Sequence, residues 1–297
     1  MRAWVLYGAN DLRLEEVPTP VPRPGEVLVS VKAAGICGSD IPRIYRTGAH
    51  VHPLIPGHEF SGVVEEVGSE TDKDWLGKRV GIFPLIPCGA CGPCRGSLYE
   101  LCRDYSYLGS RQNGGFAEYA AVPAENLLEL PEAVSFEAAA MLEPMAVAVH
   151  ALRRLGPGPG ETVAVCGLGT IGLLLVMVLL EAGIKNILAV GNKDFQRQAL
   201  SKLGIAGGCF CSSRDQDAAA WLLERSGGRG VDAFFECAGK NDALNLALRC
   251  AAPGGKICLL GNPDADLSLE KNLYWKILRN QLTVIGTWNS GFSHCPD

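Results

Sequence analysis

The sequence lacks the features that mark membrane proteins and nucleic-acid-binding proteins. Its apolar run "IGLLLVMVLLEAG" is too short to cross a bilayer and is predicted to form a buried helix. The chain has no basic block or basic-aromatic stripe, and its net charge is -5. A phosphate backbone would require such a stripe, so we expect no nucleic acid and no membrane as partners.

The sequence also lacks a recognisable secretory signal. Met1 leads directly into "RAWVLYGANDLRL", without a charged flank followed by a long apolar run. There is no internal repeat and no low-complexity tract. These absences predict a cytoplasmic protein. Thiols stay reduced in that compartment, so clustered cysteines are expected to bind metal rather than to form disulfides.

One such cluster is present in "PCGACGPCRGSLYELC". The spacing C-x2-C-x2-C-x7-C, with glycines that permit tight turns, predicts a tetrahedral zinc site of four thiolates. An iron–sulfur cluster also uses four cysteines and remains an alternative. Four protein ligands leave no position for water or substrate, so we expect a structural lobe at 87–103. Its ligands would be Cys88, Cys91, Cys94 and Cys102.

The character of the sequence changes once, near residue 155. Upstream, short alternating runs such as "EVLVSVKAAG" and "FSGVVEEVG" are broken by Gly and Pro, which predicts a β-rich domain over 1–154. Downstream, six apolar strands alternate with helices, which predicts an α/β doubly wound parallel sheet over 155–287. A long helical segment, 135–155, precedes the Gly/Pro-rich stretch "RRLGPGPGET" between the two.

A glycine motif follows the first strand of the predicted parallel sheet. It reads "GLGTIG" and fits the G-x-G-x-x-G of dinucleotide-binding turns. The first glycine would make the tight turn, the second would let a pyrophosphate approach, and the third would let the helix pack against the strand. The motif comprises Gly167, Leu168, Gly169, Thr170, Ile171 and Gly172.

The end of the second strand departs from the NAD pattern. An acidic residue normally stands there to bind the ribose hydroxyls of NAD, but this sequence reads "AVGNKDFQR". Gly191 leaves room for a 2′-phosphate, Asn192 can donate to it, and Lys193 or Arg197 can neutralise it. We therefore expect NADP in preference to NAD. The alternative is that Lys193 is simply solvated and Asp194 caps the next helix.

A second set of metal-ligand residues is spread over the first domain. "GICGSD" contains Cys37, "PGHEF" contains His58 and Glu59, and "AAMLEPMAV" contains Glu143. Each has a purely structural alternative, but a carboxylate among apolar neighbours, as at Glu143, needs a cation or a hydrogen-bond partner. A thiolate, an imidazole and a carboxylate leave one zinc position open, which is the catalytic pattern.

Together, "GICGSD", "PGHEFSG", the cysteine lobe, "LEP" and "GLGTIG" resemble the zinc-dependent medium-chain dehydrogenases, in the polyol branch. The resemblance covers essentially the whole chain. It implies a GroES-like catalytic domain and a Rossmann dinucleotide-binding domain, with the active site in the cleft between them. Relatives also have a C-terminal segment that returns to the catalytic domain, so 288–297 would be the start of such a return, apparently truncated.

The resemblance also implies roles for individual residues. Cys37, His58 and Glu143 would bind the catalytic zinc, and Glu59 would exchange as a ligand or lie beside it. Ser39 would relay the proton, and Asp40 would orient the ligand histidine. The implied reaction oxidises a secondary alcohol of a sugar alcohol or sugar-alcohol phosphate to a ketone and transfers the hydride to the nicotinamide.

The substrate is less defined by the sequence than the reaction. If the substrate carries a phosphate, Arg43 and Arg46 in "IPRIYRTGAH" could bind it, and surface arginines are the alternative. An unphosphorylated polyol such as sorbitol or xylitol, or threonine, remains an alternative substrate. A cofactor-binding protein without turnover is a hypothesis of another class. By resemblance we also expect a homo-oligomer, a dimer or tetramer.

Overall fold

A computed structural model describes residues 1–291. The chain divides into two compact units, one containing Met1–Glu143 and the other Pro144–Ser290. The sequence-based domain boundary, after residue 154, falls one helix later and stays a prediction. The predicted return segment, 288–297, lies mostly outside the described residues, as does Cys295. Within 1–291, no helix is long and apolar enough to cross a membrane.

The first unit is built on a five-stranded antiparallel sheet with the strand order β8-β3-β4-β5-β9. Its apolar face packs into a core with Phe60 and Val80 at its centre. The pairs β1–β2 and β6–β7 form two smaller sheets. The strands are β1 (Arg2–Gly8), β2 (Asp11–Glu16), β3 (Glu26–Gly35), β4 (Glu59–Val67), β5 (Arg79–Ile82), β6 (Leu85–Ile86), β7 (Ser106–Tyr107), β8 (Tyr119–Pro123) and β9 (Leu127–Glu129).

Helices in the first unit are short and lie mostly in the loops between its strands. A single turn of α-helix after β3 continues directly into a π-helical turn, Arg43–Thr47. Three 3₁₀ turns cover Lys73–Trp75, Tyr99–Leu101 and Ala124–Asn126. The α-helices are α1 (Asp40–Pro42), α2 (Gly92–Arg95) and α3 (Phe136–Ala140), and α4 (Leu142–Leu155) begins at the end of this unit.

The second unit is the predicted doubly wound α/β fold. Six parallel strands follow the order β12-β11-β10-β13-β14-β15, so the direction of winding reverses between β10 and β13. The central strands are buried on both faces, which explains their continuous apolar runs. The strands are β10 (Thr162–Cys166), β11 (Asn186–Gly191), β12 (Phe210–Ser212), β13 (Val231–Glu236), β14 (Ala251–Leu259) and β15 (Thr283–Gly286).

Helices connect these strands and cover the sheet. The buried residues of α5, Leu175 and Leu179 among them, explain why the apolar run noted above belongs to a core helix. A 3₁₀ turn, Gly207–Cys209, leads into β12. The helices are α5 (Thr170–Glu181), α6 (Asp194–Lys202), α7 (Ala218–Arg225), α8 (Asn241–Cys250) and α9 (Lys271–Arg279).

Two segments differ from the sequence-based expectation. The predicted continuous helix over 135–155 is interrupted at Met141, between α3 and α4. Pro144 is the reason, because its ring would clash with the carbonyl of Ala140 in an unbroken helix. The sequence also predicts a helical stretch through all of "DALNLALRCAAPGG", but α8 ends at Cys250 and Ala251 already begins β14.

Candidate functional site

The register of β3 and β4 brings distant ligand residues together in the first unit. The two strands are antiparallel, and Gly35 lies opposite Glu59. The end of β3 therefore lies beside the start of β4. Cys37 follows the first strand, and His58 and Glu59 open the second. As a result, one ligand atom from each of Cys37, His58 and Glu59 lies within 4.8 Å of the others.

The residue opposite Glu59 has to be small for this arrangement. A methyl group placed on Gly35 would collide with Glu59 Oε2. Both His58 and Glu59 are 5% exposed, whereas Cys37 is half-buried and is the residue of the three most accessible to solvent. The glycine of "GICGSD" thus makes room for the ligand carboxylate.

Asp40 holds the loop that carries Cys37. Its side chain is fully buried, and its Oδ2 accepts a hydrogen bond from the Cys37 N–H at 3.0 Å. Arg43 donates from Nη1 to Oδ1 of Asp40 at 2.6 Å. His58 Nδ1 lies 3.6 Å from the same oxygen and has no hydrogen-bond partner within residues 1–291. Asp40 is therefore placed beside His58, and its role in orienting that histidine stays a prediction.

Ser39 lies directly beside the ligand set. Its hydroxyl donates a hydrogen bond to Cys37 Sγ at 3.3 Å. Because the serine immediately precedes α1, its position is fixed by the same turn that presents Cys37. A hydroxyl at this distance from a ligand sulfur is well placed to exchange a proton with a molecule bound at the open position.

Glu143 is near the set of three donors but outside it. It lies in the first turn of α4 and is 7% exposed. Tyr107 donates a hydrogen bond from its hydroxyl to Glu143 Oε1 at 2.9 Å, and the Tyr107 ring packs edge-on against the His58 ring, with centroids 5.7 Å apart. The third ligand that the sequence predicted is thus engaged by a tyrosine, and Glu59 occupies the place beside Cys37 and His58.

The charges at this site fit a divalent cation. Burial raises the pKa of Glu59 and that of Glu143. Burial lowers the pKa of His58, but neighbouring Asp40 and Cys37 outweigh it and raise that pKa to about 10. Several acidic groups thus share a buried space with few cations. The thiol, imidazole and carboxylate donors are those that zinc prefers when one position stays open for a substrate.

The four cysteines of the lobe also converge. The sulfurs of Cys91 and Cys94 are 3.4 Å apart, those of Cys91 and Cys102 are 3.9 Å apart, and those of Cys88 and Cys94 are 4.0 Å apart. A tetrahedral zinc–thiolate site with bonds of about 2.3 Å requires sulfur separations of about 3.8 Å. The spacing therefore fits a single tetrahedral ion and is too wide for disulfides.

Backbone groups in the lobe favour thiolates at its open side. N–H groups of Arg103 and Cys94 lower the pKa of Cys91 to about 6, and those of Ala90 and Cys91 lower the pKa of Cys88. Burial has the opposite effect on Cys94, whose pKa it raises to about 12. A buried thiol of this kind becomes a thiolate only when a cation is present to compensate it.

In the second unit, the three glycines of "GLGTIG" have distinct surroundings. Gly167 has a φ of +95°, and a Cβ there would lie 2.7 Å from the Ala238 nitrogen. A Cβ on Gly172 would collide with the Gly167 carbonyl, whereas nothing lies within 4 Å of the corresponding position at Gly169. These surroundings match a tight turn, close helix–strand packing and an open approach to the N-terminus of α5.

The side chain of Gln196 packs against the strand end at Gly191. This residue was not identified from the sequence. A Cβ on Gly191 would lie 2.5 Å from Gln196 Oε1. That oxygen accepts hydrogen bonds from the N–H groups of Asn192 and Lys193 at 2.8 and 3.0 Å, and Gln196 Nε2 donates to the Leu168 carbonyl at 3.0 Å. Gln196 thereby ties the glycine motif to the start of α6.

Two exposed cations stand near this strand end. Lys193 Nζ lies 5.8 Å from the Phe195 ring centroid, and the Arg197 guanidinium lies 5.1 Å from that of Phe210. Neither side chain forms an ion pair with a carboxylate in the described part of the chain. Both remain available to an anionic group of a cofactor.

Glu236 is a further residue that sequence reasoning missed. It ends β13 next to the point where the winding reverses, and it is 4% exposed. Its Oε1 accepts hydrogen bonds from the N–H groups of Ala238 and Gly239 at 2.7 and 2.9 Å. A methyl group on Gly261 would collide with the Gly239 backbone. Glu236 thus organises the loops that face Gly167, and an acidic residue ending a buried strand is the signal that could have identified it.

The two arginines considered for a substrate phosphate differ in their surroundings. Arg43 is 16% exposed at its side chain and is engaged with Asp40, as described above. Arg46 lies in the π-helical turn, is exposed, and forms no ion pair within residues 1–291. The structure therefore brings Arg43 to the metal-ligand loop but gives it a structural partner.

Comparison with protein families accounts for both units. The model for the alcohol dehydrogenase GroES-like domain matches residues 23–132, and the model for zinc-binding dehydrogenases matches residues 170–297. Among curated proteins, galactitol 1-phosphate 5-dehydrogenase of Escherichia coli K12 is 36% identical over 95% of this chain and 81% of its own length.

Two other curated relatives have different named substrates. Sorbitol dehydrogenase of Bacillus subtilis is 34% identical over 90% of this chain and 76% of its own length. L-threonine 3-dehydrogenase of Pyrococcus abyssi is 34% identical over 96% of this chain and 81% of its own length.

Solved structures of similar proteins contain either nicotinamide cofactor. A zinc-binding dehydrogenase of Sinorhizobium meliloti bound to NADP has a TM-score of 0.91 and 30% identity, over 99% of this chain and 85% of its own. The alcohol dehydrogenase RspB of E. coli with NADH has a TM-score of 0.90 and 31% identity, over 98% of this chain and 84% of its own.

Proposed function

The chain belongs to the zinc-binding alcohol dehydrogenase family and is an oxidoreductase; from this premise we propose that it oxidises galactitol 1-phosphate to tagatose 6-phosphate with NADP. The observation that carries the catalytic part is the convergence of Cys37, His58 and Glu59 within 4.8 Å, with the Ser39 hydroxyl against the ligand sulfur. The similarity to galactitol 1-phosphate 5-dehydrogenase supports the substrate.

The proposed reaction moves a hydride from the carbinol carbon to the nicotinamide and a proton from the hydroxyl to the protein. When bound, zinc supplies a Lewis acid that lowers the pKa of the substrate hydroxyl, and the nicotinamide supplies the hydride acceptor. The hydroxyl proton would leave through Ser39, whose Oγ accepts it while the serine's own proton passes on to solvent. Asp40 fixes the loop of Cys37, and Tyr107 holds the Glu143 carboxylate beside His58.

The residues around Gly191 support NADP as the cofactor. The strand end carries no carboxylate that would repel a 2′-phosphate, and Lys193 and Arg197 are exposed without a carboxylate partner among the described residues. Arginine and lysine bind phosphate through charge-assisted hydrogen bonds. The adenosine end of the cofactor would meet these groups, and its pyrophosphate would meet the N-terminus of α5.

The four-thiol lobe supports the second part of the cofactor proposal, one structural zinc beside one catalytic zinc. The eleven cysteines within residues 1–291 are all free thiols, which supports placement in the reducing cytoplasm. We also propose a homo-oligomer. Its support is the edge strand β15, on which Val284 is exposed, together with the exposed aromatic side chains of Tyr274 and Trp275 on α9, the helix that precedes this strand.

The test of the proposed function is a matrix of initial rates. The complete protein is assayed with galactitol 1-phosphate, free galactitol, sorbitol and L-threonine, each with NADP and with NAD. We expect the largest kcat/KM with the sugar-alcohol phosphate and NADP. A larger kcat/KM with sorbitol or threonine would replace the substrate, and a larger one with NAD would replace the cofactor. Absence of turnover with zinc bound would favour a cofactor-binding protein instead.

A further inference from the structure

The positive charge of Arg111 is not neutralised by a carboxylate among the described residues. Its Nε atom is buried and has no hydrogen-bond partner, and its guanidinium forms no ion pair with a carboxylate within residues 1–291. The guanidinium instead lies over an aromatic ring, with Cζ 4.6 Å from the Tyr105 ring centroid. Leaving a charged donor partly buried without an acceptor costs free energy. This residue is therefore suited to bind an anionic ligand.

The loop that carries Arg111 is fixed against the metal-ligand strand. The Arg111 N–H donates to the Tyr107 carbonyl at 2.9 Å, and the Gly115 N–H donates to the Gly57 carbonyl at 2.8 Å. A methyl group on Gly109 or on Gly114 would collide with the Gly57 backbone. Because Gly57 directly precedes His58, the loop bearing Arg111 is held in register with the ligand histidine.

A row of aromatic rings connects the guanidinium to the metal site. The Tyr105 and Tyr107 centroids are 6.2 Å apart, and those of Tyr107 and His58 are 5.7 Å apart, both in edge-on contact. Arg111 stacks at the outer end of this row, and the ligand histidine is its inner end. Arg111 is therefore linked to the ligand histidine through two packed tyrosine rings.

Arg43 is the other arginine whose charge acts in this region. Burial lowers the pKa of His50, and the positive charges of Arg111 and Arg43 lower it further. Arg43 is already neutralised by Asp40 at 2.6 Å, whereas Arg111 has no such partner. Of the two arginines, Arg111 is therefore the one with charge and donors to offer a substrate.

We propose that Arg111 binds an anionic group of the substrate, a phosphate or a carboxylate, while the reacting hydroxyl lies at Cys37, His58 and Glu59. The inference rests on the proposed function and adds to it the residue that selects charged over neutral polyols. Arginine suits this task because its planar fork of donors can bind two oxygens of one anion at once.

The test compares Arg111→Gln with the wild type on charged and neutral substrates, assayed as purified zinc-loaded enzyme. Loss of charge-assisted hydrogen bonds should lower kcat/KM for galactitol 1-phosphate by about 10-fold to 100-fold, mainly through KM. The value for free galactitol should change by less than about 2-fold, because a neutral molecule has no bond to lose. Arg111→Lys should be intermediate. Inorganic phosphate should also inhibit Arg111→Gln less than it inhibits the wild type.

Arg23→Gln, at an exposed arginine outside both sets of metal-ligand residues, is the matched control and should leave both kcat/KM values unchanged. An equal loss on charged and neutral substrates would indicate a structural role and overturn the inference. A wild type that prefers the phosphate, with Arg111→Gln keeping that preference, would overturn the inference and leave the proposed function intact. Selective loss with L-threonine as the preferred substrate would support the anion site and overturn the phosphate substrate. A wild type active only on neutral polyols would overturn both.

Discussion

In the lobe of Cys88–Cys102, four sulfurs from one short stretch of chain surround a single point. Cys37, in contrast, meets partners from the start of β4, the strand paired with β3. The lobe offers four identical ligands and no open position. The other set offers a thiol, an imidazole and a carboxylate, with a serine hydroxyl directly beside it. Ligand identity, rather than the number of cysteines, separates a site that stabilises a fold from one that performs chemistry.

The groups that surround the two sets of ligand residues also differ. In the lobe, backbone N–H groups lower the pKa of two of the thiols. The Cys37 set is instead flanked by Asp40 and Glu143, which engage Arg43 and Tyr107 respectively. Such neighbouring groups tune the reactivity of a metal centre, which a purely structural site does not need.

The largest expected effect is on turnover at the mixed-donor site. Cys37→Ala removes one ligand and its negative charge, so kcat should fall by about 1,000-fold or more, since the Lewis acid contributes several kcal/mol. Elemental analysis should show that one of two zinc ions is lost. NADPH binding, followed by fluorescence, should be retained. Substantial remaining turnover would contradict the ligand assignment.

In the four-cysteine lobe, a substitution should lower stability and leave turnover nearly unchanged. Cys94→Ala removes a buried sulfur from a filled site, and the unfolding midpoint should fall by roughly 5–10 °C. The kcat of the fraction that remains folded should stay within about 3-fold of the wild type, because no lobe ligand contacts substrate. Thermal unfolding and active-site titration measure the two quantities. Loss of kcat without loss of stability would remove the distinction between the two sites.

Variants of Glu59 and Glu143 should distinguish a carboxylate that binds the zinc from one that only adjusts the reactivity of the bound zinc. Because Glu59 belongs to the set of three donors and Glu143 is engaged by Tyr107, Glu59→Gln should release the catalytic zinc. Glu143→Gln should keep the zinc and lower kcat by about 10-fold to 100-fold. Zinc content and kcat are measured on the same samples. If Glu143→Gln releases the ion and Glu59→Gln keeps it, the two carboxylates have the opposite roles.

The smallest effect is expected from Tyr107→Phe. The change removes one hydrogen bond to Glu143 and keeps the ring that packs on His58, so kcat should fall by about 3-fold to 10-fold. Zinc content and the unfolding midpoint should stay near the wild-type values. Tyr119→Phe, on strand β8, is the control with no expected effect. A larger loss in the control would show that the assay reports folding rather than carboxylate position.

The parts of the molecule that follow from the sequence are those with a local cause. The lobe spacing predicted four converging cysteines, the glycine motif predicted the strand-to-helix turn, and the alternation of apolar runs predicted the parallel sheet. The pairing of Cys37 with His58 depends on the register of β3 and β4, which no local pattern encodes, so it was predicted through family resemblance.

Other features depend on contacts that the sequence does not display. Tyr107 contacts Glu143 on α4, and Arg111 contacts the Tyr105 ring, only once the chain has folded. Gln196 and Glu236 likewise bind backbone N–H groups of the turns beside them. The helix over 135–155 was expected to be continuous, although Pro144 carries the signal for its interruption. "AAPGG" resembled a helix end because a strand that begins with Pro and Gly is unusual.

The contact between Gly191 and Gln196 has a consequence for exchanging one cofactor for the other. An aspartate at Gly191 would provide the carboxylate that NAD-binding proteins use, but its Cβ would lie 2.5 Å from Gln196 Oε1. The glutamine could yield only by giving up its bonds to the N–H groups of Asn192 and Lys193. An aspartate at this strand end would therefore displace Gln196 and release the N–H groups that it holds, and replacing both residues together would avoid that conflict.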